Sequence, residues 1–85
     1  MKELALEKNF LEDLTYWIRT DRKISLKIME LMEAIRRDPV QGIGKPEPLC
    51  HLGRNVWSRR INHEHRLVYC IVENKIIFAQ ARHHY

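Results

Sequence analysis

Glu47 stands between two prolines in Lys45-Pro46-Glu47-Pro48. Each proline fixes its own φ and biases the residue before it toward an extended conformation, so this carboxylate rides on a stiff segment and can be aimed. Farther along, Arg59 and Arg60 are adjacent in Trp57-Ser58-Arg59-Arg60-Ile61, and Arg66 opens the apolar run that ends at Val72. Guanidinium groups fixed on adjacent strands form a rigid fork that suits phosphate oxygens better than a flexible ammonium would. The sequence closes on His83-His84-Tyr85, two imidazoles and a phenol. Together these groups meet the needs of RNA strand scission through the neighbouring 2′-hydroxyl. That reaction takes a base for the 2′-OH proton, an acid for the departing 5′-oxygen and cations for the charged phosphorane. Glu47 can be the base, a histidine at the terminus the acid, and Arg59, Arg60 and Arg66 the cations. Imidazole suits the acid role because its ordinary pKa of about 6.5 lies near working pH. Tyr85 adds a ring that can stack on an exposed base of a single strand. The reaction requires no metal and no cofactor.

Other chemistries fit less well. Cys50-His51, His63-x-His65 and His83-His84 offer metal-ligand types. Strand alternation or a turn separates them, and neither paired-cysteine nor H-E-x-x-H spacing occurs, so no metal site is expected. The two cysteines, Cys50 and Cys70, do not make a disulfide framework. Cys70, in the middle of an apolar run, reads as a small core residue.

The elements that must position these groups follow from hydrophobic period. Trp57, Arg59 and Ile61 alternate with Val56, Ser58 and Arg60, the pattern of a half-buried strand. Asn62–His65 turns into a second strand over 66–72. Glu73-Asn74 turns again, with Asn tolerant of positive φ, and Lys75–Arg82 closes the sheet. At the other end, Lys2–Leu6 is a short strand with Leu4 and Leu6 facing one way. From about Glu7 the period becomes helical: Phe10, Leu14, Trp17 and Ile18, flanked by Leu11, form the apolar stripe, with Glu12, Asp13 and Arg19 outside it. Asp21 can cap a second helix carrying Ile24, Ile28, Leu31, Met32 and Ile35, which ends near Arg36-Arg37-Asp38 before Pro39. The short connection makes the two helices an antiparallel hairpin. All three prolines and all three glycines lie in residues 39–55, which therefore read as a structured loop rather than an element.

At 85 residues the chain holds one core, so residues 1–85 are expected to be a single domain. Its 45% hydrophobic and 31% charged residues are those of a soluble globular protein. No apolar run approaches the roughly 20 residues of a membrane span, and MKELALEKNF has acids where a signal peptide would be apolar. A cytoplasmic location is expected. Charge is divided unevenly. Residues 1–38 carry eight Lys or Arg against eight Asp or Glu, whereas residues 39–85 carry seven against three and all five histidines. A basic half beside a neutral one points to an anionic partner, with nucleic acid the commonest case.

The motifs Gly42–Leu49 (G-x-G-K-P-E-P-L), Trp57–Ile61 (W-S-R-R-I), Glu64–Tyr69 (E-H-R-L-V-Y) and the final His84-Tyr85 resemble the YoeB (Txe/YoeB) toxins of the RelE/ParE superfamily. The likeness spans essentially the whole chain. It implies a small α+β RelE-like domain, β-α-α-β-β-β, with the helical hairpin packed on an antiparallel-rich sheet. It also implies the toxin of a type II toxin–antitoxin pair: a ribosome-dependent mRNA endonuclease that halts translation by cutting message in the ribosomal A site, in contact with rRNA. By position, the resemblance makes Glu47 the general base, His84 the general acid, Arg66 the phosphate stabiliser and Tyr85 the residue that orients the base or scissile phosphate. Lys45, Arg59 and Arg60 become RNA-backbone contacts. A YefM/Phd-like antitoxin and a homodimer are the implied partners. Cys50 departs from the family, which usually has a basic residue there; this bears on one phosphate or rRNA contact and not on the cutting chemistry. A two-residue turn at Glu73-Asn74 would pair Arg66 with Ala81 and bring His83 onto the face of Arg66. For His84 to be the acid, as the resemblance has it, a bulge, a longer turn or a peeling terminus is required; His83 is the substitute acid and Glu64 a reserve base. The other function class open to this fold is a non-catalytic toxin or nucleic-acid-binding module, such as a ParE-like gyrase poison, whose chains lack this Glu, Arg and His-Tyr set.

Overall fold

In the computed structural model, which describes residues 2–83, two helices cover one face of a five-stranded sheet. Strand β1 (Glu3–Leu6) leads into helix α1 (Lys8–Thr20), and α2 (Arg22–Arg37) follows after Asp21 alone. Then come β2 (Glu47–Pro48), β3 (Val56–Arg60), β4 (Arg66–Val72) and β5 (Lys75–Gln80). The spatial order is β1-β5-β4-β3-β2, with β1 parallel to β5 and every other pair antiparallel. This is the expected α+β order with one addition. Residues 39–55 are not all loop, because β2 pairs with β3 and a 3-10 turn spans Cys50–Leu52. Pro48 is tolerated because β2 is an edge strand, where a missing N–H breaks no ladder bond.

The core is built from Phe10, Trp17, Ile28, Leu31, Ile35, Ile61, Leu67, Tyr69, Ile76, Phe78 and Ala81. On α2 the stripe is as read: Ile28, Leu31 and Ile35 are buried, Ile24 and Met32 pack against them, and the Asp21 carboxylate accepts from the Ile24 N–H at 3.4 Å. On α1 it is narrower. At about 100° per residue, Phe10 and Trp17 lie within about 20° of each other, whereas Ile18 is turned about 80° and Leu11 about 100° from Phe10. Ile18 is accordingly 61% exposed and Leu11 also faces solvent. Asp13, expected on the outer face, lies about 60° to the other side and is half-buried beside the sheet. Strand β1 is an edge as well, and both Leu4 and Leu6 remain exposed.

Two details of the sheet determine which side chains share its open face. The β4–β5 hairpin has a two-residue turn, but positive φ falls on Glu73 (52°) rather than on Asn74. Its register then shifts: Tyr69 is opposite Phe78, yet Val68 is opposite Gln80. Ala79 is the extra residue of a β-bulge, and from there onward the two faces of β5 exchange parity. The face away from the helices thus carries Ser58 and Arg60 of β3 and Arg66, Val68 and Cys70 of β4. Cys70 is therefore half-buried on this second face and not in the main core; burial, with a smaller effect from Glu7, pushes its thiol pKa up. Among the described residues no helix is long and apolar enough to cross a membrane.

Candidate active site

The register of β2 decides what Glu47 can reach. Glu47 is directly opposite Ser58, Ser58 is opposite Val68, and Val68 is opposite Gln80, which makes one line across the sheet. Residues directly opposite share a face, so Glu47 belongs to the face away from the helices. In the next line Arg60 is opposite Arg66. The Arg66 guanidinium bends across the lines: Nη1 donates to Ser58 Oγ at 2.7 Å, and Nη2 lies 3.7 Å from Glu47 Oε1. Ser58 is fully buried beneath it, while the Glu47 side chain is 57% exposed. An ion pair this open contributes little to stability, so a phosphate can compete for the same guanidinium. Arg60 is exposed beside it, and like charges placed opposite each other on one sheet face repel until an anion sits between them. Ser58 is the residue that sequence reasoning missed. Only the short β2 pairing, invisible in two residues of sequence, places it under both Glu47 and Arg66.

Arg59 is a different matter. Expected as an RNA-backbone contact, it is completely buried on the helix side of β3. Its Nε donates to Tyr69 Oη at 3.1 Å, Nη1 to the Ile43 carbonyl at 3.1 Å, and Nη2 to the carbonyls of Gln41, at 3.0 Å, and Asp38. Tyr69 in turn donates to the Pro39 carbonyl at 2.7 Å, and burial pushes its phenol pKa up despite the nearby Arg59. A guanidinium occupied by carbonyls in this way is an internal strut for residues 38–43. The reason the sequence misled is plain: adjacent arginines on a strand point to opposite faces, and only Arg60 points out.

The strut explains the two glycines of the G-x-G motif. A Cβ on Gly42 would stand 3.0 Å from Arg59 Nη1, and one on Gly44 would stand 2.9 Å from Leu31 Cδ2, both at positive φ. The Gly44 carbonyl accepts from Arg60 N–H at 2.6 Å, which ties the loop to β3 just before Lys45. Lys45 itself is exposed and has φ 51°, a left-handed conformation, not the extended one that its following proline favours. Gly44→Ala should destabilise the fold by about 1–3 kcal/mol, through strain at positive φ and overpacking on Leu31. Urea unfolding measures this, and a midpoint equal to the parent's would contradict the tight packing.

Arg66 N–H donates to the His83 carbonyl at 3.0 Å, so the last described residue lies beside the first residue of β4. His83 has φ 66°, and its ring centroid is 5.8 Å from that of His65, which packs edge-on against Trp17 at 4.7 Å. A bulge, one of the three ways in which His84 rather than His83 could share the face of Arg66, is present in β5, and the His83 N–H is bonded to His65 Nδ1. His84 and Tyr85 lie outside the described residues. Glu64, the reserve base, is exposed in the turn, with its carboxylate 3.8 Å from His65 Nε2. Among the described residues no group of three His, Cys, Asp or Glu side chains is arranged to hold a metal ion.

A helical hairpin on one face of a β1-β5-β4-β3-β2 sheet, with an acid and arginines on the open face, defines a RelE-like domain of the RelE/ParE superfamily. The family profile described as YoeB-like toxin of bacterial type II toxin-antitoxin system matches residues 6–85, and the chain belongs to that family. It is 49% identical to Toxin YoeB of Escherichia coli (strain K12) over 85 residues, covering 100% of both chains. Among solved structures it is similar to the YoeB dimer from Staphylococcus aureus, at 41% identity and a TM-score of 0.90, over 99% of this chain and 98% of that one. The YoeB-YefM complex from the same organism matches at 40% identity and a TM-score of 0.85, over 100% of this chain and 99% of the toxin chain.

Proposed function

We propose that this toxin is a ribosome-dependent mRNA endonuclease that cuts message in the A site by acid–base catalysis. The observation that supports it most is the Glu47 carboxylate 3.7 Å from the Arg66 guanidinium on an open sheet face, with Arg60 alongside. Glu47 takes the 2′-OH proton, and the freed oxygen attacks the adjacent phosphorus. Arg66, steadied by Ser58, leaves its pairing with Glu47 for the phosphorane oxygens, where charge grows as the bond forms. The 5′-oxygen departs with a proton from His84, which leaves a 2′,3′-cyclic phosphate upstream. Tyr85 orients the base or scissile phosphate, and Lys45 and Arg60 hold RNA backbone. Arg59 serves this site from within, by fixing the loop that leads to Glu47.

The partners follow the family: a YefM-like antitoxin, whose acidic segment would cover a cationic face, and a second copy of the chain in a homodimer. Cell-free translation with primer extension on the message tests the activity. Cuts that appear only on translated message are expected; an intact message together with blocked gyrase supercoiling would instead fit a ParE-like poison. Two substitutions probe the roles further. Arg66→Ala should slow cutting about 100- to 1,000-fold, and Arg66→Lys less, because a positive charge near the phosphate is the main requirement. His84→Ala should slow single-turnover cutting by at least about 100-fold, whereas His83→Asn, which tolerates positive φ, should stay within about threefold of the parent. The reverse order would move the acid to His83.

A further inference from the structure

Sheet pairing on β5 stops at Gln80, so no ladder fixes the residues between it and His84. Side chains do so instead, with one main-chain bond from Arg66. Asp13 Oδ2 accepts from the Ala81 N–H at 2.9 Å, and Trp17 Nε1 donates to the Ala81 carbonyl at 2.8 Å. One residue on, the Arg82 guanidinium lies 3.7 Å over the Tyr16 ring. His65 Nδ1 then accepts from the His83 N–H at 2.8 Å, while the Arg66 main chain takes the His83 carbonyl. Both main-chain groups of Ala81 and both of His83 are thus held. Asp13, Tyr16 and Trp17 share one flank of α1 at i, i+3 and i+4, which is why one helix can grip successive residues. His65 is itself fixed: Trp17 stacks edge-on against its ring, and its own carbonyl accepts from the N–H groups of Ile61 and Asn62. An imidazole that accepts at Nδ1 carries its proton on Nε2, the nitrogen facing Glu64.

These bonds do more than close a core. These polar groups converge on the three residues that precede the assigned acid, where His83 has a left-handed conformation that a non-glycine residue holds only when its surroundings over-determine it. We infer that Asp13, Trp17 and His65 are positioning residues for the cutting reaction: a clamp on residues 81–83 that sets where the general acid meets the leaving 5′-oxygen. The inference rests on the assignment of His84 under the proposed function. Misplacing a reacting group by about 1 Å can cost about 100-fold in rate, so the clamp should act on turnover and not on binding.

His65 gives the cleanest test. His65→Phe keeps an aromatic ring against Trp17 but has no acceptor for His83, whereas His65→Asn packs less well but offers an amide oxygen where Nδ1 was. A clamp predicts that His65→Phe cuts about 10- to 100-fold more slowly in single turnover, with ribosome affinity within about twofold, and that His65→Asn is the faster of the two. Amide exchange at His83 should rise in His65→Phe and fall back in His65→Asn. A purely structural role predicts the opposite order, with rate following thermal stability. Loss of His83 amide protection in His65→Phe with undiminished cutting overturns the inference alone. An His84→Ala protein that cuts like the parent overturns the assignment beneath it, and the two failures are told apart by the His84 result.

Discussion

Glu47→Gln should fold like the parent, engage the ribosome, and cut about 100- to 10,000-fold more slowly, the span that a positioned general base usually contributes. Glutamine keeps the size and the strand pairing with Ser58, and removes only the charge and the proton acceptor. The carboxylate's ion pair with Arg66 is long and open to water, so its loss should change stability by less than about 1 kcal/mol. Turnover and stability are therefore expected to separate cleanly. Single-turnover cleavage of ribosome-bound message, beside a thermal melt, measures both. Cutting within threefold of the parent would remove Glu47 from the chemistry. A large loss of thermal stability would mean instead that the Pro46-Glu47-Pro48 edge strand matters mainly to the fold.

Arg59→Ala should be the most damaging single change to the fold. It leaves the carbonyls of Asp38, Gln41 and Ile43 and the Tyr69 hydroxyl without their donor or partner, and it opens a cavity where a whole guanidinium was buried. Buried acceptors left without a donor cost about 1–3 kcal/mol each, so a loss of at least about 3 kcal/mol is expected, and a domain of this size has about 4–13 kcal/mol in all. For so small a domain each 1 kcal/mol moves the melting temperature by about 4–8 °C, so a drop of at least about 12 °C is expected. Arg59→Lys should recover only part of it, since one ammonium cannot span the arc of carbonyls that the planar fork reaches. If Arg59→Ala instead melted with the parent and only weakened RNA binding, Arg59 would be a surface contact after all. Arg60→Ala, a change at an exposed residue, should leave the melt within about 0.5 kcal/mol of the parent.

The contrast between those two arginines shows where sequence reading reached and where it stopped. Period two on β3 and period 3.6 on α2 were legible because burial imposes them. The Asp21 cap was legible because its position and type are local. Counting parity from the Glu73-Asn74 turn left a bulge, a longer turn or a peeling terminus as the ways to bring His84 rather than His83 onto the face of Arg66, and the structure has a register shift at Ala79. What could not be read were pairings across long separations. Nothing local says that Arg59 will be enclosed by residues 38–43, that Ser58 will lie between Glu47 and Arg66, or that Asp13 will leave the outer face of α1 to hold Ala81. Each depends on a register that exists only once the sheet has formed. Residue type alone proposed the candidate site, whereas the neighbours of its described members, Ser58 beside Glu47 and Arg66 and the carbonyls around Arg59, come only from the fold.

The proposed function requires a carboxylate on the open sheet face to draw the proton from a ribose hydroxyl so that this oxygen attacks its own phosphodiester. A message carrying a single 2′-deoxynucleotide immediately 5′ of the cleaved bond, translated with the parent toxin, tests that step directly. The expected result is that this message is bound but left intact at that bond, while its all-ribose twin is cut and yields a 2′,3′-cyclic phosphate end. Cleavage of the deoxy-substituted bond at the ribose rate would contradict it.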